Sequence, residues 1–456
     1  MPAPSVAVKQ FDYPVSESCP FRVPEVVSPL TFALDLSAGQ PIGHSVRSCV
    51  VGMRLAKEAG LPQRSQSDLY YALLLKDAGW SSWASPPVRT HGREFLQFGL
   101  PPVPKSFFDR VHVLVEAPAG QNTPDRELAK IRSGGGASVA RRMGLPEGTA
   151  SAIRSQDERW NGEGGPDGLQ GEEIPLPARI IQLAQTLDML YTAAGQTQAL
   201  DSARQRSGSW FDPDLVRAAE SLAARGALWT DVAAANWRVI ELEPREKPLR
   251  ASEAAIDNIC RAFGEAIDAR SPFTHRHSMG VAGTAVFIAR MLGMPESDIQ
   301  VLQRAALLHD IGKLGISSAL LEKPGKLTGD EWTVMRKHPY YTYEILKRVP
   351  GFGQVSEIAA SHHEKLDGSG YFRGLKGEQL SLSCRILVIA DVYDALSTKR
   401  SYRDALPQDQ VFEIMRKEAP HALDATCLEA LMRSADSVVD SNAAGLAQLS
   451  ANVQNS

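Results

Sequence analysis

The chain is poor in cysteine, with five in 456 residues, at positions 19, 49, 260, 384 and 427, and no Cys-x-x-Cys pair. That argues against a disulfide framework and a thiolate metal site. It fits a reducing compartment, so a cytoplasmic location is expected. No apolar run is long enough for a membrane span. Met1 to Pro20 lacks the basic start and apolar core of a secretory signal. Positive charge is not in excess: the net charge is −4, which leaves no footprint for duplex DNA or RNA. Apolar–polar alternation is absent too, so helices are the expected regular element and the class is all-α.

What the chain does have is length and an internal repeat. At 43% hydrophobic and 22% charged residues it has an ordinary globular composition, and 456 residues exceed a single core. His44-Ser45 opens a helical pattern, and so does His277-Ser278, 233 residues later. Leu74-Leu75-Lys76-Asp77 stands against Leu307-Leu308-His309-Asp310 at the same offset. Asp157-Glu158-Arg159-Trp160-Asn161-Gly162 stands against His363-Glu364-Lys365-Leu366-Asp367-Gly368 at an offset of 206, as Gly168–Glu172 does against Gly374–Glu378. The first copy therefore carries 27 extra residues, with the Pro-rich stretch 80–105 as their host. A tandem of two helical domains follows, rather than a solenoid, because the period is too long. The expected division is a loose start at 1–25, a first domain at 26–240 and a charged linker at 241–250. A second domain follows at 251–436, then a polar tail at 437–456.

Histidine is placed unevenly: seven of ten lie from His275 onward. His277 begins a helix, and His309-Asp310 closes the next. His338 follows a Thr328/Glu331 capping box, His362-His363 precedes a Gly-rich turn, and Asp391 lies inside an apolar helix. A carboxylate in Ile-Ala-Asp-Val-Tyr is costly to bury unless it is paired or metal-bound. Imidazole and carboxylate together suit borderline divalent metals. The first copy is an internal control. It keeps His44 and Asp77 but has Lys76, Arg132, Gln156, Asp157 and Gln185 where the second has His309, His338, His362, His363 and Asp391. The scaffold does not need the histidines, so their presence in the second copy calls for a functional reason.

His309-Asp310-Ile311-Gly312-Lys313 and the run His362 to Tyr371 resemble the HD-GYP branch of the HD phosphohydrolases. So do Lys323-Pro324-Gly325-Lys326-Leu327-Thr328, His338-Pro339, Ala390 to Leu396 and Arg400-Ser401-Tyr402-Arg403. The first copy resembles the same family in scaffold only. The resemblance implies tandem HD-type helical bundles, the first degenerate. It also implies a metal centre of iron or manganese that hydrolyses cyclic di-GMP, a bacterial second messenger, to pGpG or GMP. The implied ligands are His277, His309, Asp310, His338, His362, His363 and Asp391, with Asp310 bridging. Phe273 stands where three-metal members have Glu, so two divalent ions are expected. Phe372 replaces the proline of Gly-Tyr-Pro and does not fix φ as proline would.

In the mechanism this implies, a bridging hydroxide attacks phosphorus, and Lys313 stabilises or protonates the leaving 3′ oxygen. Arg400 and Arg403 clamp phosphate. Asp367, Gly368, Gly370 and Tyr371 form the turn that admits a guanine. His275 is expected to be no ligand. Competing readings are a phosphodiesterase for cyclic GMP-AMP, another HD activity on nucleotides or (p)ppGpp, and a non-catalytic scaffold that binds nucleotide or partner. Expected partners are the cyclic dinucleotide, a diguanylate cyclase and a second copy of the chain.

Overall fold

The computed structural model describes residues 21–79, 126–232, 235–244, 249–269, 276–323, 325–399 and 403–433. Helices make up the regular structure, and no β-strand is present among the described residues. The first half holds α1 (Val23–Ser37), α2 (His44–Glu58), α3 (Gln63–Leu75), α4 (Arg126–Arg142), α5 (Glu147–Arg154), α6 (Leu176–Gln205), α7 (Pro213–Ala224) and α8 (Ala235–Glu241). The second holds α9 (Glu253–Asp268), α10 (His277–Met291), α11 (Glu296–Leu308), α12 (Ser318–Leu321), α13 (Gly329–Met335), α14 (His338–Leu346), α15 (Gly353–Ala360), α16 (Leu382–Ser397) and α17 (Gln408–Glu418).

The capping residues sit where sequence logic puts them. Thr328 and Glu331 exchange side-chain and backbone hydrogen bonds at the start of α13. Ser252 accepts from the Ala255 N–H at the start of α9. The long α6 breaks at Gly195, whose φ of +84° interrupts the helix.

The same local devices recur at the offsets of the repeat. Asp35 accepts from the N–H and hydroxyl of Ser45, and Asp268 does the same for Ser278. Glu158 accepts from the N–H groups of Asp167, Gly168 and Leu169, and Glu364 from those of Arg373 and Leu375. A Cβ on Gly79 would lie 1.7 Å from the Arg132 carbonyl oxygen, and one on Gly312 would lie 2.0 Å from that of His338. Glycine is required at both turns because backbone meets backbone there.

The halves are not strung on a free tether. One apolar core runs from Val23 to Leu431. Helix α1 packs across the halves, against the 3₁₀ turn Ile311–Gly315 and against α14. The Leu36 side chain lies 3.4 Å from where a Cβ on Gly315 would stand. The described ends of the charged stretch, 241–244 and 249–250, differ from a solvated linker. Glu243 is buried, accepting from the Tyr71 hydroxyl at 2.6 Å and the Leu249 N–H at 3.1 Å. Leu249 and Ala251 bond to the backbone of Val23 and Phe21, so the loose start expected through residue 25 is already fixed at residue 21. Charge suggested solvation; a tyrosine hydroxyl and a backbone amide supply the partners that allow burial instead. The insertion at 80–105 and the tail at 437–456 lie outside the described residues.

Candidate metal centre

Four helix ends and one helix interior converge on Asp310. Arg276, in the left-handed region at φ +67°, turns the chain so that His277 begins α10. His309 caps α11, and Gly312 lets the following turn press against the first turn of α14, where His338 sits. Thr342 stitches the two by donating to the His309 carbonyl and accepting from the Gly312 N–H. His362 and His363 follow α15, and Asp391 comes from the middle of α16.

The structure brings together all seven side chains singled out in the sequence. Their donor atoms form three overlapping groups, each within 4.8 Å: His338, His362 and His363; His277, His309 and Asp391; His309, Asp310 and His362. The two carboxylate oxygens of Asp310 face different sets. Oδ1 lies 3.5 Å from Nε2 of both His338 and His362. Oδ2 lies 3.6 Å from Nε2 of His277 and 3.4 Å from that of His309. Asp391 adds Oδ1 at 3.4 Å from His277 and Oδ2 at 3.8 Å from Nδ1 of His363.

Orientation comes from the other ring nitrogens. Nδ1 of His309, His338 and His362 each donates to a carbonyl three residues back, at 2.7, 2.7 and 2.6 Å. That fixes the tautomer and leaves each Nε2 as a lone pair aimed at the centre. Nδ1 of His277 bonds to Oδ2 of Asp394 at 2.5 Å. Asp394 was given no role from the sequence. The signal was there, since Asp188 lies 206 residues earlier and holds Nδ1 of His44 at 2.7 Å in the same way.

The donor set fits divalent metal. Nε2 of His309 and Oδ1 of Asp310 are buried without a hydrogen-bond partner. Two imidazole lone pairs and ionised carboxylates enclosed together need a cation between them. Burial and neighbouring imidazoles hold His363 well below the ordinary histidine range, and burial with the nearby Lys313 ammonium does so for His338. Burial opposes charge on His277 and His309 too, but the Asp310 and Asp391 carboxylates hold both above the ordinary histidine range, a positive charge that a bound cation would replace. Burial opposes ionisation of Asp310, yet Lys313 and His309 hold it well below the usual carboxylate range.

Lys313 reaches Oδ2 of Asp310 at 2.5 Å, beside the ligands as expected. The residues expected to contact substrate divide. Tyr371 lies over the cluster, its ring 4.7 Å from that of His363. Gly370 is needed for packing, because a Cβ there would lie 2.5 Å from Cα of Glu364. Asp367 accepts from the Ser369 N–H at 2.8 Å and so shapes its own turn, while Gly368 takes φ +78° in it. Arg403 donates to the carbonyls of Ala395 and Leu396 at the end of α16 and to that of its neighbour Asp404. These bonds cap the helix that carries Asp391. Arg400, Phe273 and His275 lie outside the described residues. Phe372 has φ +97°, which proline cannot adopt, and its ring packs 5.7 Å from Tyr340 and 6.1 Å from Tyr343. Aromatic packing and the Glu364 carboxylate hold this turn instead of a proline.

At the matching position in the first half, protein cations stand where ligands would. Lys76 is fully buried and pairs with Asp77, and Arg132 pairs with Asp157. His44 and Arg47 close on Asp188.

The HD domain family model matches residues 109–215 and 261–427. The chain belongs to the HD domain family. The HD-GYP resemblance read from its motifs holds. A 3′3′-cGAMP-specific phosphodiesterase of Vibrio cholerae is 38% identical over 92% of this chain and 96% of its own length. A cyclic di-GMP phosphodiesterase response regulator of Xanthomonas campestris is 39% identical, over 42% of this chain and 49% of its own. The crystal structure of a cyclic GMP-AMP specific phosphodiesterase of V. cholerae shares the fold with a TM-score of 0.63. It is 34% identical, covering 91% of this chain and 98% of that one. No helix among the described residues is long and apolar enough to cross a membrane.

Proposed function

We propose that the chain is a metal-dependent phosphodiesterase that opens a guanine-containing 3′3′ cyclic dinucleotide. The observation that carries this reading is Asp310, whose two oxygens each face a separate pair of imidazoles. That arrangement suits two divalent ions. Iron or manganese is the expected pair, and His277, His309, Asp310, His338, His362, His363 and Asp391 are the proposed ligands. The motifs point to cyclic di-GMP, with pGpG or GMP as products. The relative matched along nearly the whole chain is named for cyclic GMP-AMP, which puts the mixed dinucleotide first.

Two ions held there would supply Lewis acidity and an activated water. The other roles belong to the chain. Asp394 holds His277 in one tautomer. Lys313 keeps an ammonium beside Asp310, placed to donate a proton to a leaving 3′ oxygen. Tyr371 packs its ring against that of His363.

The first half is proposed to be a degenerate copy with a structural and regulatory role, acting through α1 on the turn that follows His309-Asp310. Leu36→Ala is expected to lower turnover while metal content stays unchanged.

Anaerobic purification, metal analysis and separate assays with cyclic GMP-AMP and cyclic di-GMP test the whole reading. Turnover of cyclic di-GMP alone would reverse the order of substrates. No turnover of either, with metal bound, would sink the proposal.

A further inference from the structure

Two residues before His338, at the end of α13, Arg336 turns its guanidinium onto two rings. Its Cζ lies 5.4 Å from the centre of the Tyr371 ring and 5.9 Å from that of Trp332. Tyr371 in turn sits 4.7 Å from the His363 ring and 6.4 Å from that of His338. These side chains run as a file from the proposed ligands out to solvent, where Trp332 is 44% exposed. Arg290 closes on Glu296, Arg304 on Asp257, Arg373 on Glu357 and Arg385 on Asp424. Among the described residues no carboxylate closes on the exposed Arg336. An aromatic contact holds a guanidinium in place without using up its N–H fork.

We propose that Trp332 and Arg336 form a guanine-binding platform for the substrate whose phosphodiester lies at the metal centre. The inference rests on the cyclic-dinucleotide reading above. A purine offers a π face that an indole can stack on, whichever purine it is. The Hoogsteen edge of guanine carries two acceptors, O6 and N7, that match the guanidinium fork. Adenine carries one acceptor and one donor there and cannot take both bonds. Arg336 therefore selects guanine, and Trp332 holds either base. Cyclic GMP-AMP and cyclic di-GMP both satisfy the platform, and cyclic di-AMP does not.

The test is calorimetric binding of GMP and AMP to the metal-loaded full chain and to Arg336→Ala, Arg336→Lys and Trp332→Ala. Equal metal content in all four reports an intact site. Arg336→Ala is expected to weaken GMP about tenfold and AMP by no more than about twofold. Arg336→Lys keeps the charge but not the fork and should not restore the preference. Trp332→Ala should weaken both nucleotides alike. With cyclic GMP-AMP, Arg336→Ala should raise KM more than it lowers kcat. Equal losses for GMP and AMP, or full rescue by lysine, would overturn the platform, because the arginine would then act as a bare charge on phosphate. A wild type that prefers GMP but opens no cyclic dinucleotide would sink the phosphodiesterase reading and leave the platform standing.

Discussion

His338 and His362 turn their Nε2 atoms toward each other at 3.0 Å while each donates its Nδ1 hydrogen to a backbone carbonyl. Two facing lone pairs repel, so the pair suits the cation proposed to lie between them. Replacing either histidine by alanine is expected to release metal and to lower turnover more than about 100-fold, since losing an orienting partner alone costs 10–100-fold. Metal analysis alongside turnover checks this. Unchanged metal and full activity in both variants would remove these histidines from the site.

Asp394 gives a graded version of the same test. Asp394→Asn keeps the shape but no longer holds the His277 Nδ1–H with a charge. Metal affinity should fall about 10–100-fold, with the fold unchanged by circular dichroism. An affinity equal to that of the wild type would limit Asp394 to packing.

The proposed ligand residues were legible because chemistry at a metal constrains residue type, and a within-chain comparison removed the scaffold's share of the pattern. Asp394 escaped because its first-half counterpart, Asp188, is also an aspartate, so the subtraction cancelled it. The helix-capping bonds of Arg403 were hidden for another reason. An arginine near a phosphate site and one at a helix C-terminus look alike in sequence, and only the carbonyls of Ala395 and Leu396 show the capping. The docking of α1 on residues 311–315 is a contact across some 280 positions, beyond the reach of helical periodicity. Burial of Glu243 was equally hidden, since its partner Tyr71 lies far back in the chain.

The first half should resist chelators, because Lys76 serves Asp77 where a metal would otherwise be needed. Lys76→Met leaves a buried carboxylate unpaired and is expected to cost about 3–5 kcal/mol. A fall in Tm with unchanged metal content is the expected outcome. Adding Asp77→Asn should recover part of it. If the double variant is no more stable than the single one, the ion pair is not the cause.

A pH test isolates His44. Burial and the Lys76 charge push it down to about 4, so in the folded chain it stays neutral well below the unfolded value near 6.5. Its contribution to stability is present above about 6.5 and lost as pH falls toward 4. Asp35, pushed up to about 7 by burial, has the opposite sign: its contribution is present below about 4 and lost as pH rises through 7. In the wild type the two largely offset between these limits. His44→Asn removes one side, so from pH 7 to pH 4 the variant should gain on the wild type by roughly 2–3 kcal/mol. Urea midpoints across that range measure it, and parallel pH profiles would contradict the assignment.

Helix α1 has twelve buried residues, part of them under the turn Ile311–Gly315 and α14. In the order of synthesis it leaves the ribosome nearly 300 residues before the surface it covers. The nascent first half must therefore wait with an apolar face bare until the second half arrives, a long-range pairing that slows folding and exposes the chain to aggregation. Severing the two halves should leave each with an uncovered face where α1 meets residues 311–315 and α14.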